Sequence, residues 1–389
     1  MRILFLVDGY YPGVGGAEIQ ATLLAKTLIQ RGHQVQVVAP HLLPELPLED
    51  TWQGIPVRRI AYFHVPKLAN IFYMISFAHF LFKHGRDYDA YHIHMVHKMA
   101  SVVAIMKRFL GKPVLAKVSG ATEFEGGVLD FREDAFYKRA LRKLLMRLDY
   151  FQSLSSYSKS QILAAGARQD QVITLANGLD IQRFELSEAL HNDDSVQSQT
   201  VIAYCGRLQE VKALPVLLQA VACLRNKGYD EFLLRLAGDG DQEEHLRELT
   251  KELGLCDYVE FCGRISDVPS FLSQAHIYVQ VSRYEGLSNS VLEAMCTGLP
   301  PVLTRISGNE DLVVHGESGY LVDVDDVQEL AKQLSTLLDD RAHCRSLGLA
   351  ARARVENLCA LEKVVDVLER IYSGQYQPSL EPELSIEAR

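Results

Sequence analysis

Ile3-Leu-Phe-Leu-Val7 is an unbroken apolar run, Gly13-Val-Gly-Gly16 a glycine-rich loop, and Val35-Gln-Val-Val-Ala39 a second apolar run. Between the loop and the second run, Ile19, Leu23, Leu24 and Leu28 fall on one helical face. Arg31-Gly32 ends that helix, with glycine where a left-handed residue is favoured. Strand, helix and strand in that order make a βαβ unit and require a parallel sheet. Further buried-type strands are expected at 56–60, 91–94, 114–118, 150–155 and 172–176, with helices between several of them.

Residues 186–200 hold few large apolar groups and read as a linker. A second alternation follows: strands at 201–205, 232–237, 258–262, 276–281 and 301–304, separated by helices at 213–226, 242–253, 268–274 and 290–296. A last long helix covers about 360–372. The expected fold class is α/β, with a Rossmann-like N-terminal domain (1–185), the linker, and a second Rossmann-like domain (201–360). Residues 361–389 form a C-terminal helix and polar tail, for which a return to the N-terminal domain is one placement. Two parallel sheets facing across a cleft would bind ligands at the carboxyl ends of their strands.

The 389 residues suit two domains, and 48% hydrophobic with 23% charged residues is a globular balance. The net charge of −9 is unevenly shared, +6 over residues 1–180 and −15 beyond them. That division argues against nucleic-acid binding, which needs a dominant basic field. All seven cysteines lie in the second half without a C-x-x-C pair, so a reducing compartment is expected rather than disulfides or zinc. With a strand beginning at Arg2, a signal peptide has no room, and a cytoplasmic location is expected. The apolar stretch 71–82 is too short to span a bilayer and reads as a core helix. Lys138, Arg139, Arg142, Lys143 and Arg147 read as a solvated basic face. Together these two stretches permit a weak peripheral contact with anionic lipid at the inner face of the membrane.

The chemistry is concentrated in Arg283-Tyr-Glu-Gly-Leu-Ser-Asn-Ser-Val-Leu-Glu-Ala-Met295. Glu285 stands at a strand end and Glu293 eight residues later in the next helix. Between them, Gly286-Leu-Ser-Asn-Ser290 enters the helix N-terminus, whose free N–H groups and dipole suit a diphosphate. Ser288, Asn289 and Ser290 are candidate caps. Here the sequence resembles the retaining glycosyltransferases of family four, which have the GT-B fold. Glu285 and Glu293 match the family's E-x7-E signature. Gly15-Gly16-Ala17-Glu18, Arg31-Gly-His-Gln-Val35, His92-Ile-His94, Asn177-Gly-Leu-Asp180, Gly206-Arg-Leu208 with Lys212, Gly238-Asp-Gly240 and Phe261-Cys-Gly-Arg264 resemble its other motifs, in order.

That resemblance implies roles residue by residue. Arg207 and Lys212 would bind the donor diphosphate and offset its charge, a metal being absent from this family's chemistry. Glu285 would hold the transferred sugar and Glu293 the ribose. Gly286, Leu287, Ser288 and Asn289 would offer main-chain contacts, and Arg264 would lie against the nucleobase. His94, with Gly15 and Gly16, would close over sugar and acceptor. The expected partners are a UDP- or GDP-linked sugar and a glycan or lipid-linked acceptor, with no cofactor. A 2-epimerase-type isomerase on the same fold and a non-catalytic nucleotide-sugar or glycan-binding protein are the rivals. Asp239-Gly-Asp241 imitates a metal-binding D-x-D but reads as a turn and helix N-cap. Ala213 follows Lys212 where the family usually has glycine, and Pro300-Pro301 replaces a single proline.

Overall fold

The computed structural model describes residues 1–13, 15–62, 68–120, 123–124, 126–132, 135–191 and 199–378. The chain divides into two units, one formed by Met1–Gly178 with a return segment from Leu361, the other by Leu179–Ala360. The tip of the glycine-rich loop (14), parts of the 119–131 loop, residues 192–198 of the expected linker and the polar tail from 379 lie outside the described residues.

The first unit holds strands β1 (Arg2–Val7), β2 (Gln34–Pro40), β3 (Glu49–Trp52), β4 (Ile55–Ile60), β5 (Ala90–His94), β6 (Val114–Lys117), β7 (Tyr150–Ser153) and β8 (Val172–Thr174). They form one sheet in the order β3-β4-β2-β1-β5-β6-β7-β8, parallel throughout except for the β3–β4 hairpin. β1 is central, and its residues Ile3 to Val7 are wholly buried because both faces are covered. Leu4 and Leu6 join one core with Tyr73 and Phe77 of α2 (Ala69–His84) and Val103 of α3 (Lys98–Leu110). Ile3, Phe5 and Val7, on the opposite face by the period of two, join Leu24 and Leu28 of α1 (Gly16–Gln30).

The return helix Leu361–Tyr372 completes that second core through Val364, Leu368 and Ile371. It is pinned by Arg31, which pairs with Glu362, Asp366 (2.6 Å) and Glu369 (3.0 Å), and by His33, 2.8 Å from Glu369. The expected domain limits shift accordingly. Residues 179–191 belong to the second unit, where Ser187 is fully buried and its hydroxyl donates to the carbonyls of Ser273 and Ala275. Leu186–Leu190 is therefore packed structure, not linker.

The second unit contains β9 (Thr200–Cys205), β10 (Phe232–Ala237), β11 (Val259–Gly263), β12 (Ile277–Gln280), β13 (Pro301–Thr304) and β14 (Tyr320–Val322). Their order, β11-β10-β9-β12-β13-β14, is all parallel. The chain runs outward from β9 in one direction and then from β12 in the other. The sheet therefore has a topological switch point between those two strands, and ligands of such sheets bind at its carboxyl end.

Two sequence expectations are revised by burial in the first unit. Segment 71–82 is only half core: Tyr73, Phe77, Phe80 and Leu81 are buried, while Ile71, Ile75 and Phe82 are exposed. The basic run is not a uniform solvated face either. In the helix Phe136–Leu145, Arg142 is buried and donates to the Asp130 carbonyl. Among the described residues, no helix is long and apolar enough to cross a membrane.

Candidate active site

Four of the expected side chains belong to the segments that leave the two strands flanking the switch point, three on loops and one on a helix. Gly206 and Arg207 follow β9 directly, and Lys212 ends a single 3-10 turn (Glu210–Lys212) before the helix Leu214–Asn226. Glu285 follows β12, and Glu293 lies in the helix Asn289–Cys296. The Arg283 N–H donates to the Val211 carbonyl at 2.9 Å, so the two loops are tied through their backbones. Across this tie Lys212 Nζ forms an ion pair with Glu285 Oε1, which also accepts from Ser282 Oγ at 3.1 Å.

Arg207 is exposed, and among the described residues its guanidinium makes no hydrogen bond or ion pair. Its backbone is held from both sides. Tyr204 Oη donates to the Arg207 carbonyl at 2.9 Å, and Leu208 N donates to the Asp239 carbonyl at 2.8 Å. Gly238 makes this close approach possible: its φ is +139°, and a Cβ there would sit 1.9 Å from the Gly206 carbonyl oxygen. Residues 239–241 thus form a turn, as expected. They do not cap a helix, however: Glu243–Glu252 starts from Gln242, with no side-chain cap.

The start of the helix Asn289–Cys296 departs from expectation in a similar way. Ser288 is the N-cap residue but makes no capping hydrogen bond. Its hydroxyl instead meets Ser290 Oγ at 3.1 Å and accepts from Gln280 Nε2 at 3.1 Å, while Tyr278 Oη donates to Ser290 Oγ at 2.9 Å. Those hydroxyls are turned onto β12, so the Ser288 side chain does not cap the helix. Tyr278 and Gln280 were missed as site-supporting residues because a buried strand residue gives no polar signal in sequence. Ser307 Oγ fixes the other side of the turn through the Glu285 carbonyl, at 2.8 Å.

Glu293 is largely desolvated, and burial pushes its carboxyl up to about 7, opposed by the charge of Arg183. Among the described residues no donor hydrogen-bonds its carboxylate, which leaves both oxygens available to a ligand's hydroxyls. Leu287 and Ser288 are nearly buried, whereas Arg264 follows β11 and is exposed.

The remaining expected residues belong to the first unit. Gly15 is the N-cap of α1, and both Gly15 and Gly16 are exposed; a Cβ on Gly15 would lie 2.3 Å from Glu18 Oε2. His94 ends β5 but is wholly buried, its ring 4.2 Å from that of His92 and 4.9 Å from that of Phe5. Among the described residues neither ring nitrogen has a hydrogen-bond partner. Burial first, then the charges of His92 and Lys117, hold its pKa well below the ordinary range. In this conformation His94 is a neutral, enclosed ring without access to a sugar, contrary to the expected contact. Glu123 was not anticipated. It is 1% exposed, and its carboxylate accepts from the N–H groups of Val96, Ser119 and Gly120, joining the loops after β5 and β6.

A helix start, the exposed Arg207, a cation–carboxylate pair and the largely desolvated Glu293 make, among the described residues, a site for a charged, hydroxyl-bearing molecule. Among the described residues no group of three or more His, Cys, Asp or Glu is placed to hold a metal ion.

Comparison with known proteins gives the same picture. Residues 14–183 match the Glycosyltransferase Family 4 profile, and residues 188–354 match that of the Glycosyl transferases group 1. The chain is 25% identical over 371 residues to N-acetyl-alpha-D-glucosaminyl L-malate synthase of Bacillus anthracis, covering 93% of this chain and 94% of that protein. It is 25% identical over 372 residues to GDP-mannose:cellobiosyl-diphosphopolyprenol alpha-mannosyltransferase of Komagataeibacter xylinus, covering 90% and 89%. Among solved structures, Anabaena HepE in complex with UDP superposes with a TM-score of 0.78 at 22% identity, covering 96% of this chain and all of that one. Sucrose-phosphate synthase from Thermosynechococcus elongatus superposes with a TM-score of 0.79 at 20% identity, covering 96% and 98%.

Proposed function

The chain belongs to the glycosyltransferases of family 4 and group 1, and we propose on that premise that it moves a sugar from a UDP- or GDP-linked donor to a hydroxyl of a glycan or lipid-linked acceptor. The transfer retains configuration and needs no metal. The observation that carries this reading is the set of Arg207, Lys212 and Glu285 on the loops at one switch point, with Glu293 in the helix that follows. Two relatives support the choice of donor: HepE has been solved with UDP-glucose, and the Komagataeibacter enzyme is named for GDP-mannose. The latter is also named for a diphosphopolyprenol acceptor, and other relatives are named for capsular polysaccharide and lipopolysaccharide core synthesis.

In the proposed step, the acceptor hydroxyl attacks the anomeric carbon from the face the diphosphate leaves. The carbon–oxygen bond to phosphate breaks as the new glycosidic bond forms, and the departing phosphate oxygen takes the acceptor's proton. Arg207, Lys212 and the positive end of the helix Leu214–Asn226 take up the charge that grows on the diphosphate. Glu285 accepts hydrogen bonds from the sugar and Glu293 from the ribose. Main-chain groups of Gly286 to Asn289 line the sugar and phosphate, and Arg264 lies against the base.

The test is a screen of UDP- and GDP-sugars with purified protein, with and without acceptor glycans. The reading expects nucleoside diphosphate release that rises sharply with acceptor, an anomeric configuration kept by NMR, and no inhibition by EDTA. Interconversion of donor sugars without an acceptor would replace this reading with an isomerase.

A further inference from the structure

The outer face of α2 is apolar where a water-facing helix should be polar. Tyr73, Phe77, Phe80 and Leu81 fill the core, yet Ile71, Ile75 and Phe82 are 53%, 61% and 67% exposed. Their spacing of four and seven residues places them on one stripe opposite the core, about 16 Å long at 1.5 Å per residue. α3 extends the patch with Ile105, 61% exposed, and with Phe109, whose ring stacks on Phe82 at 5.3 Å. The Arg86 guanidinium covers the Phe109 ring at 4.2 Å.

Cations outnumber acids on α2, α3 and the segments joined to them: residues 69–113 contain six Lys and Arg against Asp87 and Asp89, and Asp149 pairs with Lys107 at 2.9 Å. Asp87 lies 3.9 Å from His84, and Asp89 accepts from the Arg2 N–H and approaches Lys112. Lys83, Arg86 and Arg108 are exposed on the same two helices and the turn that follows α2. An apolar stripe edged by cations matches the boundary between acyl chains and anionic headgroups.

We propose that the α2–α3 face is a docking surface for membranes carrying anionic lipid. Ile71, Ile75, Phe82 and Ile105 enter the acyl boundary, while Lys83, Arg86 and Arg108 meet the headgroups. A second copy of the chain fits less well, because a two-fold contact would set this cationic rim against itself. The basic helix Phe136–Leu145, which the sequence offered for this role, is not needed. All the residues named lie in the first unit, and none has a role in the transfer chemistry, so the surface stands or falls separately from the donor site.

Flotation of the full chain with phosphatidylcholine vesicles, with or without phosphatidylglycerol, tests the proposal. Wild type should float with the anionic vesicles, less at high salt and less with neutral ones. Ile75→Ser with Phe82→Ser should lower binding at least about tenfold. Lys83→Gln with Arg108→Gln should lower binding to anionic vesicles about twenty-five-fold, at about fivefold per cation, and leave neutral vesicles unaffected. Both variants should keep the wild-type Tm and donor hydrolysis, since the side chains are exposed. Failure of wild type to float with anionic vesicles overturns the proposal, as does equal flotation of both variants. A wild-type dimer that Ile75→Ser with Phe82→Ser dissociates, without vesicle binding, would assign the face to a second copy and overturn it too.

Discussion

Lys212 and Glu285, 73 residues apart in sequence, form an ion pair whose side chains are only 12% and 17% exposed. Each charge is the other's nearest counter-charge. In the proposed transfer, a diphosphate takes over the ammonium while sugar hydroxyls take over the carboxylate, so the pair holds both groups in position for the donor. Removing either partner leaves a half-buried charge unpaired as well as deleting a site contact. Glu285→Ala and Lys212→Ala should each lower kcat/KM by about 10²–10³-fold. The double variant should lose less stability than the sum of the single ones, by about 1 kcal/mol or more in a double-mutant cycle. Strict additivity in urea unfolding would mean that the pair is not formed in solution.

Arg207 offers the contrast. It is exposed and unpaired among the described residues, and its backbone is held by Tyr204 Oη and the 239–241 turn, not by its own side chain. Arg207→Ala should therefore leave Tm within about 1 °C of wild type while costing about 10²-fold in turnover. Near-normal transfer in this variant would remove the residue from the diphosphate site.

Glu293 makes stability depend on pH in a defined direction. Burial raises its folded-state pKa from 4.5 to about 7, so between those values the folded protein holds a proton that the unfolded chain has released. Its contribution is fully present below pH 4.5 and is lost as pH rises through 7, by at most about 3 kcal/mol. Glu293→Gln stays neutral throughout and should gain on wild type from pH 5 to pH 8, in Tm or in denaturant midpoint. The same variant should bind donor more weakly, since an amide accepts fewer hydroxyl hydrogen bonds than a carboxylate.

Periodicity carried most of the fold. The central strands β1, β9, β10 and β13 are apolar runs bounded by turn residues, and of the stripe read for α1, Leu24 and Leu28 are buried whereas Leu23 is half-buried and Ile19 is exposed. What escaped was edge structure. β3 reads Glu-Asp-Thr-Trp, with no apolar alternation, and exists through antiparallel pairing with β4. β14 is three residues long and paired on one side only, too short for a period. At the site, the spacing of Glu285 and Glu293 was legible, but their different environments were not, because burial is set by distant segments. The same holds for His94, enclosed by Phe5 and His92. Ala213 lies between these cases: its departure from the family's glycine shows in sequence, and the reason glycine suits the position shows only in its φ of +49°.

Glu123 was invisible in sequence because a single carboxylate in a loop carries no pattern, yet its carboxylate accepts from three backbone N–H groups. Val96 follows β5 by two residues, and Ser119 and Gly120 follow β6, so one side chain fixes two loops at the sheet's carboxyl edge. Burial raises its pKa to about 7 against the lowering effect of those N–H groups, so the carboxylate is held by geometry more than by charge. Glu123→Ala would strand three N–H donors in a site closed to water, at about 1–3 kcal/mol each. Glu123→Gln would rescue little, since its amide turns an NH2 toward at least one of the N–H groups it should accept. Both variants should lose at least about 3 kcal/mol in urea unfolding. Amide exchange should speed up at Val96, Ser119 and Gly120 while β1 stays protected. A Glu123→Ala protein with wild-type stability and unchanged exchange at those three positions would show that the carboxylate does not tie the loops together.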